Sequence, residues 1–289
     1  LVLNNNFLED RKMKKSVVKI TFVIFLSLGI AGFANASVIW HYTFDETAGT
    51  TANDSVGSYN GTLVNATGTP AYSFDNQSVS GKYGNALYFR GPNASNGGVG
   101  DDYINVTTGD SSLPGAGDNF SVSMWVQTNN WGQGALLFSY NLNNLQFTVG
   151  LYTITTGPQI EVYSKNVTTN VVNREQYLID AAELNGDVWH LITVSVTDGD
   201  PIIYLDGITE SGSLNTDAWT AGTGINIGRR NASTKKYFTG AMDDFAMFDT
   251  ALTAEQVAAI YNSTTAIPEP TTMAMLALGL AAVCRRTKK

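Results

Sequence analysis

The segment Phe120-Ser-Val-Ser-Met-Trp-Val126 sets the terms for the rest of the chain. Val122, Met124 and Val126 fall on one side of an extended backbone, and Ser121, Ser123 and Trp125 on the other. Strict alternation of this kind belongs to a strand, because a helix repeats its apolar side every three to four residues. The same signature recurs in short pieces: Ser37–Phe44, Ala86–Phe89, Tyr103–Val106, Ala135–Tyr140, Leu145–Thr153, Gln159–Tyr163, Trp189–Thr197 and Phe238–Phe248. Turn chemistry separates them. Pro201-Ile-Ile-Tyr-Leu205 runs into Asp206-Gly207, a dipeptide suited to the left-handed positions of a tight hairpin. With 28 Gly against 7 Pro, turns are plentiful and strand-breaking rings are few. Many short strands at turn-marked spacing predict two packed antiparallel sheets or a barrel.

One helix interrupts the pattern. Thr253-Ala-Glu-Gln256 is a capping box, and Val257, Ile260 and Tyr261 follow on one side. This short helix is expected to close an edge or end of the sandwich.

The two ends do not belong to that fold. Lys12, Lys14, Lys15 and Lys19 precede an apolar run from Ile20 to Ile30, and Ala34-Asn35-Ala36 has the small-x-small form of a signal-peptidase site. Ser37 is the expected first mature residue. Residues 1–12 fit neither a signal nor a fold, so Met13 reads as the true start. At the other end, Met273–Val283 is an uncharged run of 11 residues followed by Arg285, Arg286, Lys288 and Lys289. A full span needs about 20 apolar residues. The run is a weak span with its basic end held on the cytoplasmic side. Three regions follow: 1–36 as extension and signal, 37–262 as the folded domain, and 263–289 as spacer and sorting tail, with both ends expected as helices.

Residues 37–267 carry 8 Lys and Arg against 22 Asp and Glu, a formal net charge of −14. Nucleic acid and anionic membrane surfaces are excluded as partners of such a body. Membrane contact is expected only through the two end segments. The single cysteine, Cys284, sits in the tail, so the body has no disulfide and no thiol chemistry.

Two resemblances add to this reading. Pro268-Glu269-Pro270, the apolar run and the terminal arginines together resemble the PEP-CTERM sorting signal of Gram-negative bacteria. That resemblance implies an exosortase-type enzyme that cleaves near the motif and passes the protein to the envelope or exopolysaccharide. Five segments in order resemble a laminin-G-like, concanavalin A-like domain: Tyr42–Glu46 with Gly49–Gly57, Ala86–Phe89, Phe120–Val126, Asp187–Val194 with Ile203–Gly207, and Phe238–Phe248 with Ala251–Gln256. The resemblance implies an all-β, two-sheet jelly-roll sandwich with one short C-terminal helix, often associated with Ca2+ or glycans.

Catalytic chemistry has little to draw on. Glucanases of that fold carry Glu-x-Asp-x-Glu or a near variant on one strand, which aims the carboxylates into one cleft. Here Glu161, Glu175, Glu183 and Glu210 stand apart, and the two histidines, His41 and His190, lie in strand patterns. No catalytic residue is assigned, although a polysaccharide-active enzyme with an unfamiliar site is kept as an alternative.

Asp243 draws attention because it shares parity with Phe245 and Met247, on the side expected to face the core. A buried carboxylate needs backbone amides, a basic residue or a cation. Ca2+ takes oxygen ligands and is one such partner for Asp243; the resemblance, in which the opening and closing strands lie close together, implies Asp54 as its co-ligand to a structural Ca2+. Asp101-Asp102 reads as a solvated turn. Trp131 and Trp219 lie in polar loops, where they either offer a sugar-binding ring or plug an end of the sandwich. The functional expectation is an exported surface module that binds carbohydrate or other matrix. A structural or adhesive envelope protein without a small ligand is the alternative.

Overall fold

In the computed structural model the described residues are 36–65, 71–91, 101–107, 118–129, 133–141, 145–154, 157–166, 172–179, 188–212, 224–229 and 237–267. The unit Ala36–Pro270 contains them. No helix among them is long and apolar enough to cross a membrane.

The alternating segment becomes strand β7 (Phe120–Gln127), near the middle of the first sheet. That sheet, A, runs β14 (Ile208–Gly212), β13 (Asp200–Leu205), β12 (His190–Thr197), β7, β16 (Gly240–Phe248), β5 (Asn85–Phe89) and β4 (Ser78–Ser80), and β1 (Val38–Tyr42) also pairs with β16. Sheet B runs β11 (Val172–Leu178), β10 (Gly157–Asn166), β9 (Leu145–Ile154), β8 (Gln133–Asn141), β15 (Gly224–Ile227), β6 (Asp102–Thr107), β3 (Gly61–Asn65) and β2 (Thr51–Ala52). Every pairing is antiparallel. The fold is therefore a two-sheet sandwich.

The core lies between the sheets. Val122, Met124 and Val126 of β7 meet Phe147, Val149 and Leu151 of β9 and Ile160 and Val162 of β10 in one apolar cluster. Phe120 and Phe147 pack edge to face at 5.5 Å. Such a core supplies the main favourable term of folding.

The other side of sheet A departs from the amphipathic expectation. Ser121, Ser123, Thr193 and Ser195 point away from the core, yet none is more than 2% exposed. The segment after β16 covers them. Ser121 Oγ donates to the Thr250 carbonyl and accepts from the Leu252 amide, and Ser195 Oγ donates to the Leu252 carbonyl. These hydroxyls give partners to a non-strand backbone that lies on a sheet and would otherwise be buried unpaired. Helix α2 (Ala254–Tyr261) follows, with the expected capping box closed in both directions by Thr253 and Gln256. A single-turn helix, α1 (Phe74–Gln77), lies earlier in the chain. Tyr261 stacks on Trp125 at 5.7 Å and 24°, so this strand tryptophan is sealed beneath the helix, not within the core.

Strand β16 holds the one irregularity that matters for the site. Its first part, Gly240–Met242, pairs with β5, and its second, Phe245–Phe248, pairs with β1. The register against β7 shifts between Asp243 and Ala246, and Asp244 takes φ +50°. This bulge resets the alternation. Phe245 and Met247 point into the core as expected, but Asp243 stands opposite Trp125 on the covered outer side. The sequence parity of Asp243 with Phe245 is thus overturned by one extra residue. The turn after β13 is as expected, with Asp206 at φ +51° and Gly207 at φ +82°.

Ser121→Ala leaves the Leu252 amide without an acceptor under the C-terminal segment. It is expected to lower unfolding stability by about 1–3 kcal/mol, whereas Thr62→Ala on an exposed strand position stays within ~0.5 kcal/mol. Chemical denaturation of the two variants checks the difference.

Candidate ligand-binding face

The outer side of sheet B is built by alternation in its central strands. Ile160 and Val162 of β10 enter the core, so Gln159, Glu161 and Tyr163 point outward. Register then places Gln159 beside Tyr152, Glu161 beside Gly150, and Tyr163 beside Thr148 of β9. On the other flank Gln176 and Arg174 of β11 stand opposite Glu161 and Tyr163. Further across, Ser139, Asn226 and Asn105 continue the polar row through the pairings of β8, β15 and β6.

The row is well held. Gln176 Nε2 donates to Glu161 Oε2 at 2.6 Å. The Arg174 guanidinium sits 5.4 Å from the Tyr163 ring centroid. Asn105 Nδ2 donates to Asn226 Oδ1 at 3.2 Å, and Ser139 Oγ donates to the Arg229 carbonyl at 2.8 Å. The Arg229 guanidinium lies 4.4 Å from the Tyr103 ring.

Gln159 is the exception. It is 1% exposed, and neither its amide nitrogen nor its amide oxygen has a hydrogen-bond partner. Leaving such a group unpaired costs on the order of 1–3 kcal/mol. An amide that can both donate and accept, aimed outward from a rigid strand next to a fixed carboxylate, suits a ligand rich in hydroxyls. The sequence already contains this signal in the Gln-Ile-Glu-Val-Tyr alternation. It goes unnoticed there because Glu161 appears isolated, whereas its neighbour Gln176 comes from the next strand.

The acidic candidates fall elsewhere. Asp54 is 8% exposed. Its Oδ1 accepts the His41 amide at 3.1 Å and the Val56 amide at 3.2 Å, and its Oδ2 accepts the Tyr59 amide at 3.3 Å. Asp243 is 1% exposed; Oδ2 accepts the Tyr83 amide at 2.9 Å and Oδ1 has no partner. Ca2+ needs six to eight oxygens. Asp54 has both oxygens committed to amide donors, and His41 links it to Asp244 rather than to Asp243. The pair as placed does not fit a Ca2+ cage, and among the described residues no group of three or more metal-ligating side chains forms.

Asp102 is not the solvated turn that the sequence suggests. It is fully buried and takes Arg90 Nε at 2.6 Å, Nη2 at 3.0 Å and the Arg90 amide at 3.0 Å. His190 Nδ1 meets Asp206 Oδ2 at 2.9 Å, which ties that histidine to the hairpin turn. Trp131, Trp219 and the Pro268-Glu269-Pro270 motif lie outside the described residues.

The sequence matches the model of the concanavalin A-like lectin/glucanases superfamily over residues 96–258 and the PEP-CTERM protein-sorting motif over residues 266–289. No curated protein matches it. Among solved structures, the chain is similar to domain 4 of AbnA, a GH43 extracellular arabinanase from Geobacillus stearothermophilus, in complex with arabinotriose. That likeness has 18% identity and a TM-score of 0.56, covering 78% of this chain and 99% of that one. The binding domain of Paraclostridial Mosquitocidal Protein 1 is also similar, with 17% identity, a TM-score of 0.57, and coverage of 78% and 52%. The receptor binding domain of botulinum neurotoxin D matches with 14% identity, a TM-score of 0.55, and the same coverage. The chain spans about half the length of the two toxin domains. At these identities the likeness is one of fold.

Asp243 supplies a test that needs no ligand. Burial, and then the charge of Asp244, push its carboxyl up to about 7, against the opposing pull of the Tyr83 amide. In the unfolded chain it titrates near 3.9. Between the two values the native state binds more protons, so stability is full below about pH 4 and is lost as pH rises toward about 7. Asp243→Asn removes this dependence. Across that window the wild type is expected to lose up to ~1.4 kcal/mol per pH unit relative to the variant. Parallel melting-temperature profiles for the two proteins would contradict the assignment.

Proposed function

We propose that this chain, which belongs to the concanavalin A-like lectin/glucanase superfamily, is an exported, non-catalytic module that binds a neutral polysaccharide or matrix glycan. The candidate ligand groups lie on the outer side of sheet B, centred on Gln159 and Glu161; both are buried, at 1% and 5% exposure, so binding requires this side to be uncovered. The observation that carries this reading is the Gln159 amide, buried and unpartnered at both ends beside a carboxylate held by Gln176.

Several features support it. Sugar hydroxyls are donors and acceptors at once, and match an amide and a carboxylate on a rigid floor, with Tyr163 beside them for a sugar face. The mature region's charge of −14 disfavours anionic polymers. Glu161 is the single outward-facing carboxylate of β8 to β11 among the described residues, since Glu175 stands opposite inward-facing Val162. Glycoside cleavage needs two carboxyl groups about 5–10 Å apart. The complex of the arabinanase domain with arabinotriose supports glycan binding on this fold by analogy.

Delivery follows from the two ends. The sorting motif at 266–289 supports export to the cell envelope of a Gram-negative bacterium, with an exosortase-type enzyme as the processing partner. The basic and apolar N-terminal segment serves as the signal peptide.

Gln159→Leu separates a ligand role from a purely structural one. The apolar isostere removes an unpaired amide, so its melting temperature is expected to equal or exceed that of the wild type. Binding to the glycans retained on a neutral-glycan array, measured by calorimetry, is expected to weaken at least tenfold. Undiminished glycan affinity, or no neutral glycan bound by the wild type, would reject this surface.

A further inference from the structure

The residues between α2 and the sorting motif read in sequence as a spacer, but they are fastened to sheet A. The backbone amides of Asn262 and Ser263 extend the helix end by donating hydrogen bonds to the Ala258 and Ile260 carbonyls. Tyr83 Oη donates to the Ser263 carbonyl at 2.9 Å. Ser263 Oγ and the Thr265 backbone exchange bonds of 2.7 and 3.2 Å. The Ile267 amide, immediately before Pro268, donates to both oxygens of Asp244 at 3.1 and 3.3 Å. Ile267 is 7% exposed and Asp244 is 1% exposed.

Asp244 is itself fixed from the far side. Its Oδ1 lies 2.5 Å from His41 Nε2, and His41 Nδ1 meets Ser55 Oγ at 2.9 Å. The His41 amide donates to Asp54 and its carbonyl accepts from Ser55. The bulge in β16 is what makes this possible. At φ +50° Asp244 leaves the regular ladder, and its carboxylate reaches both His41 of β1 and the returning chain. Its two partners are a histidine and the Ile267 amide, the last N–H before Pro268.

We infer that the His41–Asp244 pair is a latch that sets the inner border of C-terminal processing: residues through Ile267 stay with the folded domain, and processing takes place beyond them. A peptidase must draw several residues of substrate into an extended strand in its own cleft. For bonds before Ile267 this requires releasing the Asp244, Tyr83 and Ser263 contacts together. Scission beyond that point, whether the acyl group passes to water or to an amine nucleophile, leaves Ile267 on the domain. The Asp54 loop thereby acquires a role in positioning His41. The inference is independent of which glycan, if any, is bound.

The test is limited proteolysis of the full chain in detergent with proteinase K, reading the C-terminus of the resistant core by mass spectrometry. The wild-type core is expected to end at Ile267 or later. In Asp244→Ala the end is expected to move back into 262–266, with cleavage there at least tenfold faster. Asp244→Asn keeps an acceptor for the Ile267 amide and is expected to restore most of the protection. Tyr83→Phe removes only the Ser263 contact and is expected to open 263–265 part way. Trimming of the wild type inside 262–266 would overturn the latch. So would a folded Asp244→Ala with the wild-type core. If Asp244→Ala does not fold, the wild-type mass and the Tyr83→Phe rate decide, and an unchanged Tyr83→Phe rate counts against it.

Discussion

The row of buried hydroxyls on the outside of sheet A is the constraint from which the rest of the molecule follows. A two-sheet sandwich has two outer sides, and both are usually free to face water. Here Ser121 and Ser195 take up the backbone of 250–252, Trp125 stacks under Tyr261, and Asp244 holds Ile267. The hydrogen bonds among these contacts give partners to backbone and side-chain groups that would otherwise be buried unpaired. The central part of this side, over β7, β12 and β16, is thus occupied by the chain's own C-terminal segment, while Tyr88 and Val79 toward the β4 edge remain exposed.

The outward polar rows of both sheets are buried: Ser121 and Ser195 in sheet A, and Gln159, Glu161 and Ser139 in sheet B. Sheet A becomes the anchoring side, from which the chain leaves toward its sorting motif. Sheet B carries the polar outward row, with Gln159, Glu161 and Gln176 at its centre and the arginine–tyrosine pairs at its flanks.

Much of the fold was legible in the sequence because alternation and turn chemistry are local. Phe120–Val126, the Asp206-Gly207 turn and the Thr253 capping box each act within a few residues, and each appears as read. What escaped depends on partners far along the chain. Parity alone puts Asp243 on the wrong side because it cannot tell a bulge from a regular strand, and this bulge sits where β16 changes partner from β5 to β1. Asp102 looked like a turn residue because its partner, Arg90, comes from the end of another strand. The serine side of β7 looked solvent-facing because the segment that covers it lies about 130 residues later. Glu161 looked solitary for the same reason, its amide partner belonging to β11. Of the candidate ligand residues, only Asp54 and Asp243 fall among the described ones, and both are held by backbone amides.

Amide hydrogen exchange, followed residue by residue with and without a saturating neutral oligosaccharide, tests the central claim most directly. The account predicts that the Leu252 and Ile267 amides already exchange as slowly in the free protein as those of β16, and that the ligand adds protection only in β8 to β11. Rapid exchange at Leu252 and Ile267, or protection gained on the outer side of sheet A, would contradict it.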